Sequence, residues 1–149
     1  ALAAAPHHRV VPLRIGVVLG KGGGVMKSMA PAFRAFVGGP VGSGKQWVSF
    51  IALSDLVRLV LFVLDHEACS GPINATAPQP VTMKQLTDAM GAVLGRPSWL
   101  PAPSFAIKAL FGEAASMILG GQRVLPTKAE RLGFRFELPT VEAALRAAV

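Results

Sequence analysis

Positions 10–19 hold Val, Ile and Leu with little alternation, a pattern that suits a strand of a parallel sheet buried on both faces. Gly20-Lys-Gly-Gly-Gly24 ends that strand in a tight turn. Met26, Met29, Ala30, Phe33 and Val37 then recur at helical spacing, with Pro31 expected to kink or restart the helix. Gly38–Gly44 reads as a loop, Gln46–Ile51 as a strand, and Asp55–Asp65 as a strongly apolar helix with Ser54 as its N-cap. Pro72–Thr76 reads as another short buried strand.

The rhythm of the remaining chain is helical. Thr82-Met-Lys-Gln85 has the form of a capping box, in which hydroxyl and amide side chains satisfy each other's backbone donors. It opens a helix that Gly95 and Pro97 stop. Trp99–Pro103 is expected to be extended, and Ser104–Gly120 to be one helix broken near Gly112. Pro126–Leu132 reads as a short helix with Gly133 in a left-handed cap. Phe134-Arg-Phe-Glu-Leu138 alternates as a strand does, and Thr140–Val149 closes the chain as a helix. No internal repeat or low-complexity linker interrupts this alternating α/β unit.

Composition narrows the possible functions. A chain of 149 residues suffices for one domain with a real core. A hydrophobic fraction of 52% with 15% charged residues excludes disorder. Such apolarity predicts that part of the surface is covered by a further domain or a partner chain. The net charge of +7 comes from cations scattered singly, so no dedicated nucleic-acid site is expected. The eight Phe fall mostly at core-like positions and do not interleave with the cations. A basic RNA-contacting module is a third reading, marked by binding that collapses with salt.

Cys69 is the single cysteine, which excludes an internal disulfide and a cysteine zinc cluster; a buried, inert thiol is expected. The apolar run Leu56–Leu64 is shorter than the roughly 20 residues of a membrane span, and Arg58 interrupts it, so no transmembrane segment is expected. No signal-peptide pattern opens the chain. The first residue is Ala, which fits a processed or partial polypeptide, and Ala1–Ala5 fits the remainder of a removed targeting peptide.

Several motifs are decoys. Gly39-Pro-Val-Gly-Ser-Gly44-Lys45 has P-loop spacing, but Gln46 stands where a magnesium-binding Ser or Thr belongs, and a strand-like segment follows instead of a helix. The Gly20–Gly24 run misses the dinucleotide fingerprint, because Val25 occupies the position of its third glycine. Adjacent His7 and His8 point in different directions and lack a third ligand, so no metal site is expected of them or of His66, and no Gly-x-Ser-x-Gly elbow occurs. Asp55 reads as a first-turn carboxylate complementing the helix dipole, or else as a hydrogen-bonding group for a substrate. Gln46 beside Trp47 suits a ribose, sugar or ring ligand, although Trp47 packing over a neighbouring helix explains the ring equally well.

Eight ordered segments carry a family resemblance: Arg14-Ile-Gly-Val-Val-Leu-Gly20, Gly23-Gly24, Gly38-Gly39-Pro40, Gly42-x-Gly44-Lys45-Gln46-Trp47, Asn74-Ala-Thr-Ala-Pro78, Gly95-Arg96-Pro97, Gln122-Arg-Val-Leu-Pro126 and Gly133-Phe-x-Phe136. From Val10 onward the chain resembles the C-terminal half of epimerase-like proteins of the atypical extended short-chain dehydrogenase/reductase group. It departs from them at Phe50, where the family has Trp, and at Ala52, where it has His. The chain also contains no Tyr, the residue that family uses for proton transfer.

The resemblance implies an α/β fold: the C-terminal part of a Rossmann-like reductase with a small, mostly helical substrate lobe, and without the N-terminal dinucleotide-binding half. Residues 1–9 would form an extended N-terminal segment and 10–149 the substrate-side half. Leu19 and Gly20 would lie beside the nicotinamide of NAD(P), and Gln46, Trp47 and Arg96 would line the substrate. No catalytic or metal-binding residue is expected in the chain, so hydride chemistry would need another chain to supply the dinucleotide half. Two roles follow: a catalytically incomplete accessory or structural subunit of a larger assembly, or the substrate half of a split NAD(P)-dependent epimerase or oxidoreductase. The basic balance and the first residues suggest an organelle, chloroplast or mitochondrion.

Overall fold

The expected strand over residues 10–19 is divided at Gly16 between two different partners. In the computed structural model, which describes residues 9–101 and 120–149, β1 (Leu13–Ile15) pairs in parallel with β5 (Ile73–Ala75), Arg14 opposite Asn74. Its continuation β2 (Val17–Leu19) pairs in parallel with β4 (Phe50–Ala52), Val18 opposite Ile51. The handover is visible in the backbone. Gly16 N–H donates to Ala75 O at 3.1 Å, and Val17 N–H donates to Ser49 O at 2.8 Å. A Cβ on residue 16 would stand 2.4 Å from Ser49 O and 2.9 Å from Thr76 Cγ2, so only glycine lets the three segments close.

Helices make the crossovers between these parallel strands. After β2 the chain enters α1 (Gly24–Arg34), which keeps its helical course through Pro31. A loop then leads to β3 (Trp47–Val48), and Ser49 separates β3 from β4. The helix α2 (Leu53–Asp65) starts directly from β4, with Ala52 at its N-cap and no side-chain cap, so Ser54 does not take the capping role expected of it. The short strand β6 (Val81–Thr82) pairs antiparallel with β3 and leads straight into α3 (Met83–Leu94). The capping box at Thr82 and Gln85 is formed, and Gly95 closes α3 in the left-handed region with φ 63°. Beyond residue 119 lie α4 (Thr127–Arg131) and α5 (Val141–Ala147), the latter capped by the Thr140 hydroxyl. The expected helix over Ser104–Gly120 falls almost wholly outside the described residues.

Strand β4 shows why the sheet needs cover on both faces. Phe50 and Ala52 point into one core with Leu19, Phe33, Leu86, Met90 and Leu145. Ile51, between them, points into a second core with Leu59, Val63, Cys69, Ile73 and Phe134. The period of two along a strand sends neighbours to opposite faces, and both faces here are apolar. The first core is roofed by α1, α3 and α5, and the second by α2 and the segment around Phe134. Cys69 lies fully buried in that second core.

One expected strand is absent. Phe134–Leu138 alternates in sequence, yet it forms no ladder. Phe134 packs edge-on against Phe62 and Phe136, while the backbone N–H groups of Glu137 and Leu138 donate to the Asp55 carboxylate at 3.0 and 2.9 Å. A buried carboxylate has taken the place of a neighbouring strand as acceptor.

Candidate functional site

A cleft of about 1650 Å³ opens along the edge of β1 and β3, between α1 and the segment 120–127. Trp47 stands in its wall with 40% of its surface exposed, while the residues on either side of it are buried. The loop before Trp47 is rigid for a specific reason. Gln46 Nε2 donates to Val41 O at 2.8 Å, and Ser43 Oγ donates to Gln46 Oε1 at 3.2 Å. Met83 N–H donates to Gln46 O and Lys84 N–H to Gly44 O, both at 2.9 Å, which joins the loop to the start of α3. Both ends of the Gln46 amide are thus engaged within the loop. The P-loop-like segment is a turn of this kind, followed by β3 rather than by a helix, with Lys45 in solvent.

Opposite this loop runs the segment 120–125. Ser49 Oγ donates to Gln122 O and accepts from Val124 N–H, both at 2.8 Å. These two partners flank Arg123, whose guanidinium carbon lies 5.1 Å from the centre of the Trp47 ring. Gly121 has φ 60°, and a Cβ there would stand 2.7 Å from Trp47 O, so both backbone conformation and space demand glycine. Farther along, Asn74 Nδ2 donates to Leu125 O at 3.0 Å, which brings the segment beside Arg14, the register partner of Asn74. Arg14 and Arg123 both line the cleft, and among the described lining residues there is no carboxylate.

The other expected site residues lie elsewhere. Leu19 is buried in the first core, and Gly20 closes against the Leu53 side chain; neither lines the cleft. Arg96 also lies outside the lining, with its guanidinium carbon 4.6 Å from the centre of the Phe36 ring and a hydrogen bond to Gly95 O. Asp55 is wholly buried and spent on Arg58 and the 137–138 backbone. His66 stacks on Phe62 with ring centres 3.8 Å apart. Among the described residues no His, Cys, Asp and Glu group could hold a metal ion, and no helix is long and apolar enough to cross a membrane.

Sequence reasoning did not single out Ser49, Asn74 or Arg123 as site residues. Ser49 lies 73 and 75 residues from its partners Gln122 and Val124, so no local period announces the pairing. The available signal was that Asn74 and Arg123 each fall within one of the eight matched segments, Asn74-Ala-Thr-Ala-Pro78 and Gln122-Arg-Val-Leu-Pro126.

For NAD(P), the residues present fit one wall only. Ile15, Gly16 and Val17 give the cleft a largely apolar stretch of lining along β1 and β2. The 149 residues contain no Gly-x-Gly-x-x-Gly turn to hold a pyrophosphate and no Tyr to relay a proton.

Comparison with known proteins agrees with this division. Residues 102–148 match the model of a domain of unknown function, DUF1731. The chain is 52% identical over 147 residues to the chloroplastic epimerase family protein SDR39U1 homolog of Arabidopsis thaliana, covering 99% of this chain and 42% of that protein. It is 44% identical over 138 residues to the epimerase family protein ML0860 of Mycobacterium leprae, of which it covers 45%. The crystal structure of the human epimerase family protein SDR39U1 with NADPH superposes with a TM-score of 0.88 at 39% identity, over 93% of this chain and 47% of that one. The chain therefore spans about half the length of the relatives it matches. It corresponds to the C-terminal part of an epimerase-like protein and has the Rossmann-like α/β architecture of that group.

Proposed function

We propose that this chain forms the substrate-side wall of an NAD(P)-dependent epimerase or oxidoreductase, with the dinucleotide held by residues outside these 149. The observation that carries this reading is the open cleft beside β1, lined by Trp47 and by Ile15, Gly16 and Val17. The NADPH present in the human relative's structure supports the choice of cofactor. When bound, that cofactor supplies the hydride. This chain's residues bind and orient the substrate: Trp47 offers an aromatic face to a ring, and Gln46 acts through the loop it braces. Leu19, Gly20 and Arg96, expected beside the nicotinamide and the substrate, lie outside the cleft lining and take no direct part in this reading.

A second reading makes the chain an accessory or structural component of a larger assembly. It is favoured by the exposed apolar stripe of α2, formed by Leu53, Val57, Leu61 and Leu64 at helical spacing. The chloroplastic relative supports a plastid as the compartment under either reading, although bacteria also carry relatives.

Titration with NADPH, followed by its fluorescence, separates the two. The chain alone is expected to leave NADPH unbound. Co-expressed with the remaining, N-terminal part of the Arabidopsis relative, it is expected to bind one NADPH per pair. A stable pair that ignores NADPH would favour the accessory role.

A further inference from the structure

We propose that Arg123 is the anion-selecting residue of this cleft and that the substrate carries an oxyanion, a phosphate or a carboxylate, which docks between Arg123 and Arg14 beside the Trp47 ring. The inference rests on the reading of the cleft as a substrate site and deepens it.

Three independent features hold Arg123 in position. The Ser49 hydroxyl binds the backbone on both sides of it, at Gln122 O and Val124 N–H, both at 2.8 Å. Gly121 presses its backbone against Trp47, at a position where any side chain would collide. The Trp47 ring lies beneath the guanidinium, 5.1 Å from its carbon to the ring centre, which orients the planar group by a cation–π contact. A long, flexible side chain is ordinarily costly to immobilise, and here the fixed backbone and the ring contact lower that cost before any ligand arrives.

Among the described residues no carboxylate pairs with Arg123. The ion pairs among the described residues join Arg58 to Asp55 and Glu137, and Lys84 to Asp88; none involves Arg123 or Arg14. Two cations lining one cleft, with no carboxylate among its described lining residues, raise the local potential for an anion. The guanidinium fork matches the two oxygens of a carboxylate or phosphate, which a lysine would meet only as a point charge. The flat ring beside the fork gives the same ligand an apolar surface, so an oxyanion attached to a ring or a short carbon skeleton fits the site best.

The test uses the whole 149-residue chain, with inorganic pyrophosphate and malonate as probes and Trp fluorescence as the readout. At least one probe is expected to bind and to perturb that fluorescence, and a preference between them tells phosphate from carboxylate. Arg123→Gln is expected to weaken this binding about tenfold or more, the size expected for a lost charge-assisted hydrogen bond. Arg123→Lys is expected to recover only part of it. Absence of binding by either probe, or equal binding by the Gln variant, overturns the proposal. In the pair completed by the N-terminal part of the relative, Arg123→Gln is expected to leave NADPH affinity unchanged; a parallel loss would assign Arg123 to the cofactor and overturn its substrate role. If the wild-type pair fails to bind NADPH, the enzyme reading fails, whereas pyrophosphate or malonate binding by the chain alone still reports on Arg123.

Discussion

The carboxylate of Asp55, on the first turn of α2, accepts the backbone N–H of Leu138 at 2.9 Å across 83 residues of sequence. It also accepts Glu137 N–H at 3.0 Å and Arg58 Nη1 at 2.8 Å, and it is wholly buried. This one side chain therefore ties the C-terminal segment to the first turn of α2, directly after β4.

Removing Asp55 is expected to strand two backbone donors and a cation together. Asp55→Ala should destabilise the chain by about 3 kcal/mol, within the range for breaking a buried charged network. Arg58 is 38% exposed, so Arg58→Ala should cost no more than about 1 kcal/mol. Urea unfolding of the two variants checks the contrast, and equal losses would mean that the ion pair, rather than the backbone bonds, carries the stability.

Ser49 is expected to act on the cleft through the segment it grips. Ser49→Ala removes both bonds that flank Arg123 and should cost about 1–3 kcal/mol, since Val124 N–H loses its partner. Trp47 emission should shift at the same time, because the guanidinium over its ring is released. A stable variant with unchanged Trp emission would show that the segment is held by other contacts.

Gly121→Ala should displace the same segment by a different route. The left-handed backbone costs about 1–3 kcal/mol with a side chain, before the contact with Trp47 O is counted. Thermal melting and near-ultraviolet circular dichroism of the Trp region together register this. An unchanged melting temperature would count against the tight approach.

The α2 stripe makes a prediction of its own. Replacing Leu61 and Leu64 together by Lys should leave stability within about 0.5 kcal/mol, as for exposed positions, while lowering the binding of a hydrophobic dye to the chain. Dye fluorescence that does not fall would mean that the stripe is not the main exposed apolar surface.

What the sequence made legible was local. The Thr82–Gln85 box and the left-handed Gly133, at φ 93°, both depend on residues within a few positions of one another. The parallel strands were also legible, because burial on both faces leaves a continuous apolar run. Less accessible was anything fixed by distant partners. Phe134–Leu138 has the period of a strand, but Asp55 supplies its acceptors, so no ladder forms. The helix α2 needs no Ser54 cap, because it continues directly from β4. At the cleft, Trp47 was visible as a ring beside the polar amide of Gln46. Its partner Arg123 was not, since only the fold brings residue 123 over residue 47.

The most direct test of the central claim is native mass spectrometry of this chain co-expressed with the N-terminal part of the Arabidopsis relative, in the presence of NADPH. A one-to-one complex carrying a single NADPH, with no nucleotide on the free 149-residue chain, is the predicted result. Two parts that remain separate, or a complex that takes up no NADPH, would contradict the assignment of this chain as the substrate wall of a dinucleotide enzyme.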